Sequence, residues 1–225
     1  MKRNRPAKKT DQNKPWAIRR PKNDRSIGTT EPNKLIFIVC EGQTESLYFE
    51  SFPVTGLSVE AISLGDSKIK LVDNAISILK SRTTKPDETW VVFDMDAKGE
   101  EKEKMDFDNA IKKAHKNDIH VAYSNDAFEL WFYLHFQYTD HKNHRTFYYK
   151  QLGQKFGYNY EKFGKLHKHS VSNYSRFQYI TGSQSKAIQH VEKLFTAQKE
   201  LPPHQQNPVT TVYQLVNLLN KNLRQ

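Results

Sequence analysis

The sequence predicts an α/β fold in which a mostly parallel β-sheet is flanked by helices and followed by a C-terminal helical extension. Short uninterrupted apolar runs, such as LIFIVC at residues 35–40 and WVVF at 90–93, are typical of strands buried on both faces. These runs alternate with segments whose apolar residues recur at helical spacing, which is the order expected of βαβ units. With 225 residues, the chain is long enough for one such domain and a smaller appendage.

The first 33 residues are predicted to form a flexible basic arm. They hold ten Lys or Arg against three acids and carry four prolines without apolar periodicity. Such an arm attracts polyanions by counterion release without discriminating between sequences, and a solubilising leader is the alternative. Residues 34–137 are predicted to form the α/β core, and residues 138–225 a basic, aromatic and helical extension packed on that core.

The first predicted strand, residues 35–40, ends at a carboxylate. Glu41 and Gly42 follow it directly, the glycine permits a tight turn, and Thr44 can cap the helix that begins there. Cys40 is the single cysteine, so neither an intramolecular disulfide nor a thiolate zinc cluster can form. Ligands of open α/β sheets collect at this carboxyl edge. Glu41 is therefore a candidate functional residue, with a solvated loop glutamate as the alternative.

The remaining elements are predicted from periodicity and from capping residues. Alternating polarity predicts strands, whereas apolar residues three and four apart predict amphipathic helices. In chain order we expect a strand at 57–64, a helix capped by Asp66 or Ser67, the strand at 90–93, a helix that includes 107–114, a strand at 119–123 that ends at Ser124-Asn125-Asp126, and helices at 127–136, 185–198 and 209–223.

The helix predicted at 127–136 contains one acid, Glu129, in a segment that is apolar on almost every side and should be buried. An ionised carboxylate at such a position is costly unless it is paired or faces a polar cleft. The helix follows a strand, so its first turn is expected near the carboxyl edge of the sheet, close to the other acids. A solvated stripe or a pairing with an arginine are the alternatives.

Three carboxylates follow the ends of two predicted strands, namely Glu41, Asp94 and Asp96. Asp94 and Asp96 lie two residues apart, so in an extended chain both side chains point to one side of the strand. Crowded carboxylates without Cys or His select a hard cation such as Mg²⁺ or Mn²⁺. Because such cations serve phosphate chemistry, these three residues predict a metal site for phosphodiester substrates.

Four ordered segments of the chain resemble a known protein family. They are IVCEGQTESLYF at 38–49, VVFDMD at 91–96, SNDAFELWFYLHF at 124–136 and NPVTTVYQLV at 207–216. A strand ending in Glu-Gly, followed downstream by a strand ending in Asp-x-Asp, is similar to the Toprim catalytic domain of topoisomerases, primases and OLD-family nucleases. Together the four segments resemble the RloB/AbiLii family of bacterial defence proteins. One departure is Asp126, which stands where that family commonly has a proline.

The resemblance implies a Toprim-like fold and a Mg²⁺-dependent nuclease that acts in phage defence or abortive infection beside a partner ATPase of the ABC or AAA type. By the family motif, Glu41 would be the general base or a metal ligand, and Asp94 and Asp96 the metal-binding pair. Glu45 and Glu129 match family positions without settled roles, and they complete the predicted catalytic set. By analogy with related defence proteins, RNA such as tRNA is expected in preference to DNA. Homo-oligomerisation is left open.

A nucleic-acid-binding surface is predicted in the extension. Cations and aromatic rings side by side suit phosphates and unstacked bases, with ordinary packing and a solvated rim as the alternative. The histidine pairs at 141/144 and 167/169 have spacings compatible with a metal but lack a third ligand, so solvated or phosphate-contacting histidines are favoured. The predicted cations are Lys150, Lys162, Lys165 and Arg176, interleaved with Tyr148, Tyr149, Tyr158, Tyr160 and Phe163.

Two further function classes compete with the nuclease. One is a non-catalytic nucleic-acid-binding subunit of a defence complex. The other is a haloacid-dehalogenase-like (HAD-like) phosphatase, because VVFDMD also places Asp-x-Asp at a strand end, although that motif normally lies on the first strand.

No Walker A or G-x-G-x-x-G sequence occurs, so ATP hydrolysis by this chain is not expected. The apolar runs are far short of a membrane span and no secretory apolar region follows the basic N-terminus, so we expect a cytoplasmic protein without membrane contact.

Overall fold

A computed structural model of the chain describes residues 33–96, 101–164 and 183–223. Within these ranges, the chain from Asn33 onward forms one compact unit. The predicted basic arm, of which the structure describes residue 33 alone, lies outside the described residues, as do Lys165, Arg176 and the histidine pair at 167/169.

Five described strands form one sheet in the order β2-β1-β3-β4-β5. The first four strands are mutually parallel, whereas β5 runs antiparallel to β4. The predicted α/β class with a mostly parallel sheet is therefore confirmed. The strands are β1 (Lys34–Cys40), β2 (Leu57–Ser63), β3 (Glu88–Asp94), β4 (His120–Asn125) and β5 (Val209–Thr210).

Helices follow each of the four parallel strands, and further helices make up most of the described residues of the extension. The helices of the parallel part are α1 (Gln43–Glu50), α2 (Lys68–Ser81), α3 (Glu101–Lys116) and α4 (Glu129–Leu134). Those of the extension are α5 (Arg145–Phe156), α6 (Tyr160–Phe163), α7 (Gln184–Gln198) and α8 (Val212–Asn220), with a short 3-10 helix at Pro203–Gln205. No helix of the described residues is long and apolar enough to cross a bilayer.

The strand order places a switch point between β1 and β3. From β1 the chain forms β2 on one side and then crosses back to form β3 on the other side of β1. The carboxyl ends of β1 and β3 therefore flank the crevice at which the direction of strand addition reverses. In open α/β sheets, ligands bind outside the strand ends at such a crevice.

An aromatic cluster fixes α1 against α4 beneath this crevice. Tyr48 of α1 packs edge-to-face on Phe128 and Phe132, at centroid distances of 6.0 and 5.3 Å. Trp131 Nε1 donates a hydrogen bond of 3.0 Å to the Tyr48 hydroxyl, and all four rings are buried. This packing explains why α4 is apolar on nearly every side, and it holds the first turns of the two helices in a fixed relation.

The structure adds a strand that the sequence analysis does not predict. A helix is expected from residue 209, but Val209 and Thr210 extend the sheet beside Asn125 and Ser124, and the helix begins at Val212. Thr211 Oγ1 accepts a hydrogen bond of 2.9 Å from the Tyr123 backbone N–H. Four consecutive β-branched residues follow Pro208 and favour extended backbone, and at the first two of them pairing with β4 outweighs the helical periodicity.

Candidate functional site

A cavity of about 130 Å³ opens at the carboxyl edge of the sheet, between the ends of β1 and β3. Four carboxylates line it, from Glu41, Glu45, Asp94 and Glu129, together with Arg145 and Tyr149. We call it the acidic cavity. Four of the five predicted catalytic acids therefore come together at the switch point, although they are spread over almost ninety residues of chain.

Glu41 is anchored by its backbone on two sides. Its N–H donates to the Val92 carbonyl at 2.9 Å, and its carbonyl accepts from the Gly65 N–H at 3.0 Å. The side chain turns toward β3, where Glu41 Oε2 accepts a hydrogen bond of 3.4 Å from the Asp94 N–H. Glu41 is thus held by the sheet rather than by a solvated loop, which excludes the loop-glutamate alternative.

Gly42 makes room for the carboxylate of Glu45 in the first turn of α1. A Cβ on Gly42 would lie 2.6 Å from Glu45 Oε2, so a larger residue there would displace this buried carboxylate. The φ of Gly42 is −115°, an ordinary extended value, so the tight turn expected of this glycine is not what requires it. Gly42 itself is the residue preceding α1, and the expected cap from Thr44 is wrong because Thr44 lies inside the first turn.

Glu129 is the first residue of α4 and is 5% exposed, so it does not lie on a solvated stripe. The Tyr160 hydroxyl lies at 3.5 Å as a donor to Glu129 Oε1, at the limit of a hydrogen bond. The helix is shorter than the predicted 127–136, because Ala127 and Phe136 take part only in i→i+3 bonds at its two ends. The prediction that its first turn approaches the other acids is met in the structure.

Asp94 and Asp96 do not share one face of an extended strand, contrary to expectation. Strand β3 ends at Asp94, and Asp96 has a left-handed φ of 51°. The chain follows the end of β4 instead, with the Met95 N–H bonded to the Ser124 carbonyl at 2.8 Å and the Asp96 N–H to the Asp126 carbonyl at 3.2 Å. Asp94 lines the acidic cavity, whereas Asp96 lies outside its lining.

Arg145 is the main site residue that the sequence analysis misses. Its guanidinium forms an ion pair with Asp96 and lies 3.8 Å from Asp94 Oδ2, while its Nε is 4.0 Å from Asp126 Oδ2. Asp126 also accepts a hydrogen bond of 3.0 Å from the Arg145 N–H, at the start of α5. Asp126 therefore orients Arg145 and does not itself line the acidic cavity.

One sequence signal points toward such a cation, since buried acids need a counter-charge and a pairing with an arginine was an alternative for Glu129. Nothing in the periodicity selects Arg145 itself.

Burial and mutual repulsion dominate the electrostatics of the acidic cavity. Burial, with the charge of Glu45, raises the pKa of Glu41 to about 7, against the hydrogen bond from Asp94 and the charges of Lys68 and Arg145, which lower it. The pKa of Asp94 is raised well above its usual range by burial and then by the charges of Glu45, Glu41 and Glu129, with Arg145 opposing. The pKa values of both acids stay raised although Arg145 opposes the shift at each of them, so a bound cation would relieve the repulsion.

Comparison with known families gives a match along most of the chain. The family model described as RloB-like protein matches residues 36–219. The chain belongs to the RloB-like family. No curated protein matches. Among solved structures, a de novo designed Rossmann fold protein aligns with 14% identity and a TM-score of 0.27, over 40% of this chain and 83% of the designed one.

The carboxylates of the acidic cavity in this RloB-like chain are of the type that binds a hard cation, but they are not already arranged to hold one. Carboxylate oxygens are the ligands that Mg²⁺ and Mn²⁺ prefer. Among residues 33–96, 101–164 and 183–223, no group of three or more His, Cys, Asp or Glu side chains is arranged to hold a metal ion. Asp96 of the predicted metal set is held by Arg145 instead. Glu41 and Asp94, joined through the Asp94 N–H, are the two predicted ligands that stay together.

The predicted nucleic-acid-binding residues of the RloB-like chain have mixed positions. Lys150 and Lys162 are exposed, as a phosphate-binding role requires, whereas Lys165 and Arg176 lie outside the described residues. Tyr148 and Tyr160 are buried in the core and present no free face to a base. The rings that retain partial exposure are Tyr149, Tyr158 and Phe163. His141 and His144 are exposed, and His144 accepts a hydrogen bond from the Thr146 N–H at the start of α5.

Proposed function

We propose that this RloB-like chain is a metal-dependent nuclease that hydrolyses phosphodiester bonds with Mg²⁺ or Mn²⁺. The observation that carries the proposal is the convergence of Glu41, Glu45, Asp94 and Glu129 on one cavity at the switch point of the sheet, with Arg145 beside them. A site rich in carboxylates with a single guanidinium suits a divalent cation together with an anionic substrate.

Each residue of the acidic cavity has a role in this proposal. Glu41, with a pKa of about 7, can take a proton from an attacking water near neutral pH, which is the requirement for a general base. Asp94 would hold the cation with Glu41 or Glu45, since their mutual repulsion is relieved by a bound positive charge. A bound Mg²⁺ would polarise the phosphoryl oxygen and stabilise the leaving oxygen. Arg145, which is partly exposed, can donate to the same phosphate.

RNA, and tRNA in particular, is the substrate that we favour over DNA, and the proposed setting is anti-phage defence with a partner ATPase. Support comes from membership of the RloB-like family and from the exposed Lys150 and Lys162 on the helices next to the cavity. These cations attract the phosphate backbone of any nucleic acid.

Cleavage of RNA and DNA by the full chain tests the proposal, in Mg²⁺ or EDTA and with or without a candidate ATPase. We expect cleavage in Mg²⁺ that Asp94→Ala abolishes while the thermal unfolding transition is retained. The matched control is Asp73→Ala, because Asp73 is an acid on α2 that pairs with Lys113 away from the cavity. Full activity of Asp94→Ala would remove the acidic cavity from the reaction.

A non-catalytic nucleic-acid-binding subunit is the second candidate. The pairing of Asp96 with Arg145, and the lack of a preassembled group of three ligands among the described residues, favour it. Binding of nucleic acid without cleavage in any combination of metal and partner would support this candidate.

The HAD-like phosphatase is less well supported. Its Asp-x-Asp motif needs both aspartates at one site, but Asp96 lies outside the acidic cavity and pairs with Arg145. Rapid hydrolysis of an aryl phosphate that Glu41→Gln leaves intact would reverse this preference.

A further inference from the structure

A second cavity, of about 350 Å³, lies next to the acidic cavity and shares Tyr149 with it. Its lining includes the partly exposed rings of Tyr149 and Tyr158, the buried Tyr160 packed against both of them, and the cation Lys150, all from α5, α6 and the loop that joins them. We call it the tyrosine cavity. Tyr160 also reaches the acidic side, where its hydroxyl lies 3.5 Å from Glu129 Oε1. The two cavities are therefore neighbours separated by tyrosine side chains.

The aromatic wall of the tyrosine cavity is held in place by ring packing. Tyr158 stacks on Phe156 with a centroid distance of 5.8 Å and an interplanar angle of 20°. Tyr158 and Tyr160 are stacked at 6.3 Å and 22°, and Tyr149 tilts against Tyr160 at 5.9 Å and 34°. Because the rings support one another, a ligand would meet a preformed aromatic surface, which reduces the entropic cost of binding.

The chemistry of this cavity fits a nucleobase. Aromatic faces stack on bases of any sequence, and an adjacent cation contacts the backbone phosphate, as in single-strand binding sites. The amides of Gln154 and Asn159 add groups that can hydrogen-bond the edges of a base. A volume of about 350 Å³ is near the lower end for ligand pockets, which suits one nucleoside rather than a folded partner.

We propose that the tyrosine cavity binds one unstacked nucleobase of the strand whose phosphate enters the acidic cavity. A base within a duplex is stacked and paired and cannot enter, so the substrate class is single-stranded nucleic acid or an extruded nucleotide. The location relative to the cut rests on the proposed nuclease function, but binding of the base itself does not require cleavage.

The test measures fluorescence anisotropy of labelled oligonucleotides with the full chain in EDTA, so that no cleavage takes place. The probes are an unstructured oligouridine, the same backbone without bases, and a duplex of matched length. We expect the oligouridine to bind about tenfold more tightly than the base-free strand, as is typical of one stacked base. Tyr158→Leu should remove this difference, whereas Tyr158→Phe, which keeps the ring, should preserve it.

Lysine variants separate the contribution of charge from that of stacking. Lys150→Ala should weaken binding of the oligouridine and of the base-free strand by the same factor. Lys155→Ala is the matched control, because Lys155 lies on the same helix over the ring of Phe136 and does not line the cavity. It should leave the difference between the two single strands unchanged, and thermal unfolding should show that each variant is folded.

The proposal is overturned if the base-free strand or the duplex binds as tightly as the oligouridine, if Tyr158→Leu leaves the difference intact, or if no probe binds. Base-dependent binding without cleavage in any condition would contradict the nuclease function and leave the base site in place. Cleavage in Mg²⁺ with equal affinity for all three probes would contradict the base site alone.

Discussion

Two arginines of this chain meet carboxylates in opposite ways. Arg82, after α2, donates hydrogen bonds of 2.8 and 2.6 Å to both oxygens of Glu60 and covers the ring of Phe37. These contacts lower the pKa of Glu60. Arg145 instead divides its contacts among three aspartates, and the pKa values of Glu41 and Asp94 beside it are raised.

The difference lies in how well the charges at each of the two places are balanced. The bidentate pair of Arg82 with Glu60 joins one positive and one negative charge, so it leaves no net charge to be neutralised. In the acidic cavity, burial and the charges of neighbouring acids outweigh the opposing charge of Arg145 and keep the pKa values of Glu41 and Asp94 raised. Perturbed pKa values of this kind cluster at functional sites, which supports the proposed location of the reaction at the ends of β1 and β3.

The largest contrast is expected from deleting the two guanidinium groups. Arg145→Ala should lower the rate of cleavage about a hundredfold, because a donor beside the phosphate is lost. Arg82→Ala should leave that rate unchanged while lowering the free energy of unfolding by about 1 kcal/mol, the scale of a favourable surface pair. Single-turnover cleavage below the unfolding transition measures the two rates, and urea unfolding measures the free energy of unfolding. Equal rates for the two variants would show that Arg145 acts on the fold only.

The pH dependence of stability should have opposite signs at the two places. Glu41 has a pKa of about 7 in the folded chain against 4.5 ordinarily, so the folded chain keeps a proton that the unfolded chain has lost. The free energy of unfolding should therefore fall as pH rises from about 4.5 to about 7, by on the order of 3 kcal/mol. Glu60, with a lowered pKa, instead contributes stability that is present at neutral pH and lost on acidification.

Urea unfolding at pH 5 and pH 8 measures this dependence. In Glu41→Gln, the free energy of unfolding should fall much less between pH 5 and pH 8. In the unmodified chain, millimolar Mg²⁺ should restore the free energy of unfolding at pH 8. A Glu41→Gln variant with an unchanged pH profile would contradict the raised pKa.

Local sequence patterns were enough to predict the sheet and the acids at its carboxyl edge. They did not predict how these acids are arranged relative to one another. The apolar runs at 35–40 and 90–93 are local signals, and the rule that parallel strands end at one edge brings Glu41 and Asp94 together. Asp96 was misplaced because its conformation is set by hydrogen bonds to the end of β4, a long-range contact. Arg145 was missed for the same reason, since its partners lie 19 to 51 residues earlier in the chain.

Neutralising one acid at each place should move stability in opposite directions. Asp94→Asn removes a carboxyl group whose ionisation is opposed by burial and by three neighbouring carboxylates, so it should raise the free energy of unfolding at pH 7.5. Glu60→Gln breaks the pair with Arg82 and should lower it by less than about 1 kcal/mol, because Glu60 is partly solvated. Destabilisation by Asp94→Asn would mean that Arg145 neutralises the cavity more fully than its distances indicate.

The smallest expected effect concerns two glycines. In Gly42→Ala the new Cβ must displace the Glu45 carboxylate, because the two would otherwise lie 2.6 Å apart, while a φ of −115° suits alanine. We expect nearly unchanged stability and a loss of cleavage of about tenfold or less, as for a displaced second carboxylate. Gly56→Ala reverses the pattern, because Gly56 has a φ of +70° in open space, so alanine should cost about 1 kcal/mol of stability without slowing cleavage. Thermal unfolding and cleavage rates measured on both variants compare them directly. If Gly42→Ala cleaves at the full rate, the position of Glu45 is irrelevant to the reaction, and the acidic cavity reduces to Glu41, Asp94 and Glu129.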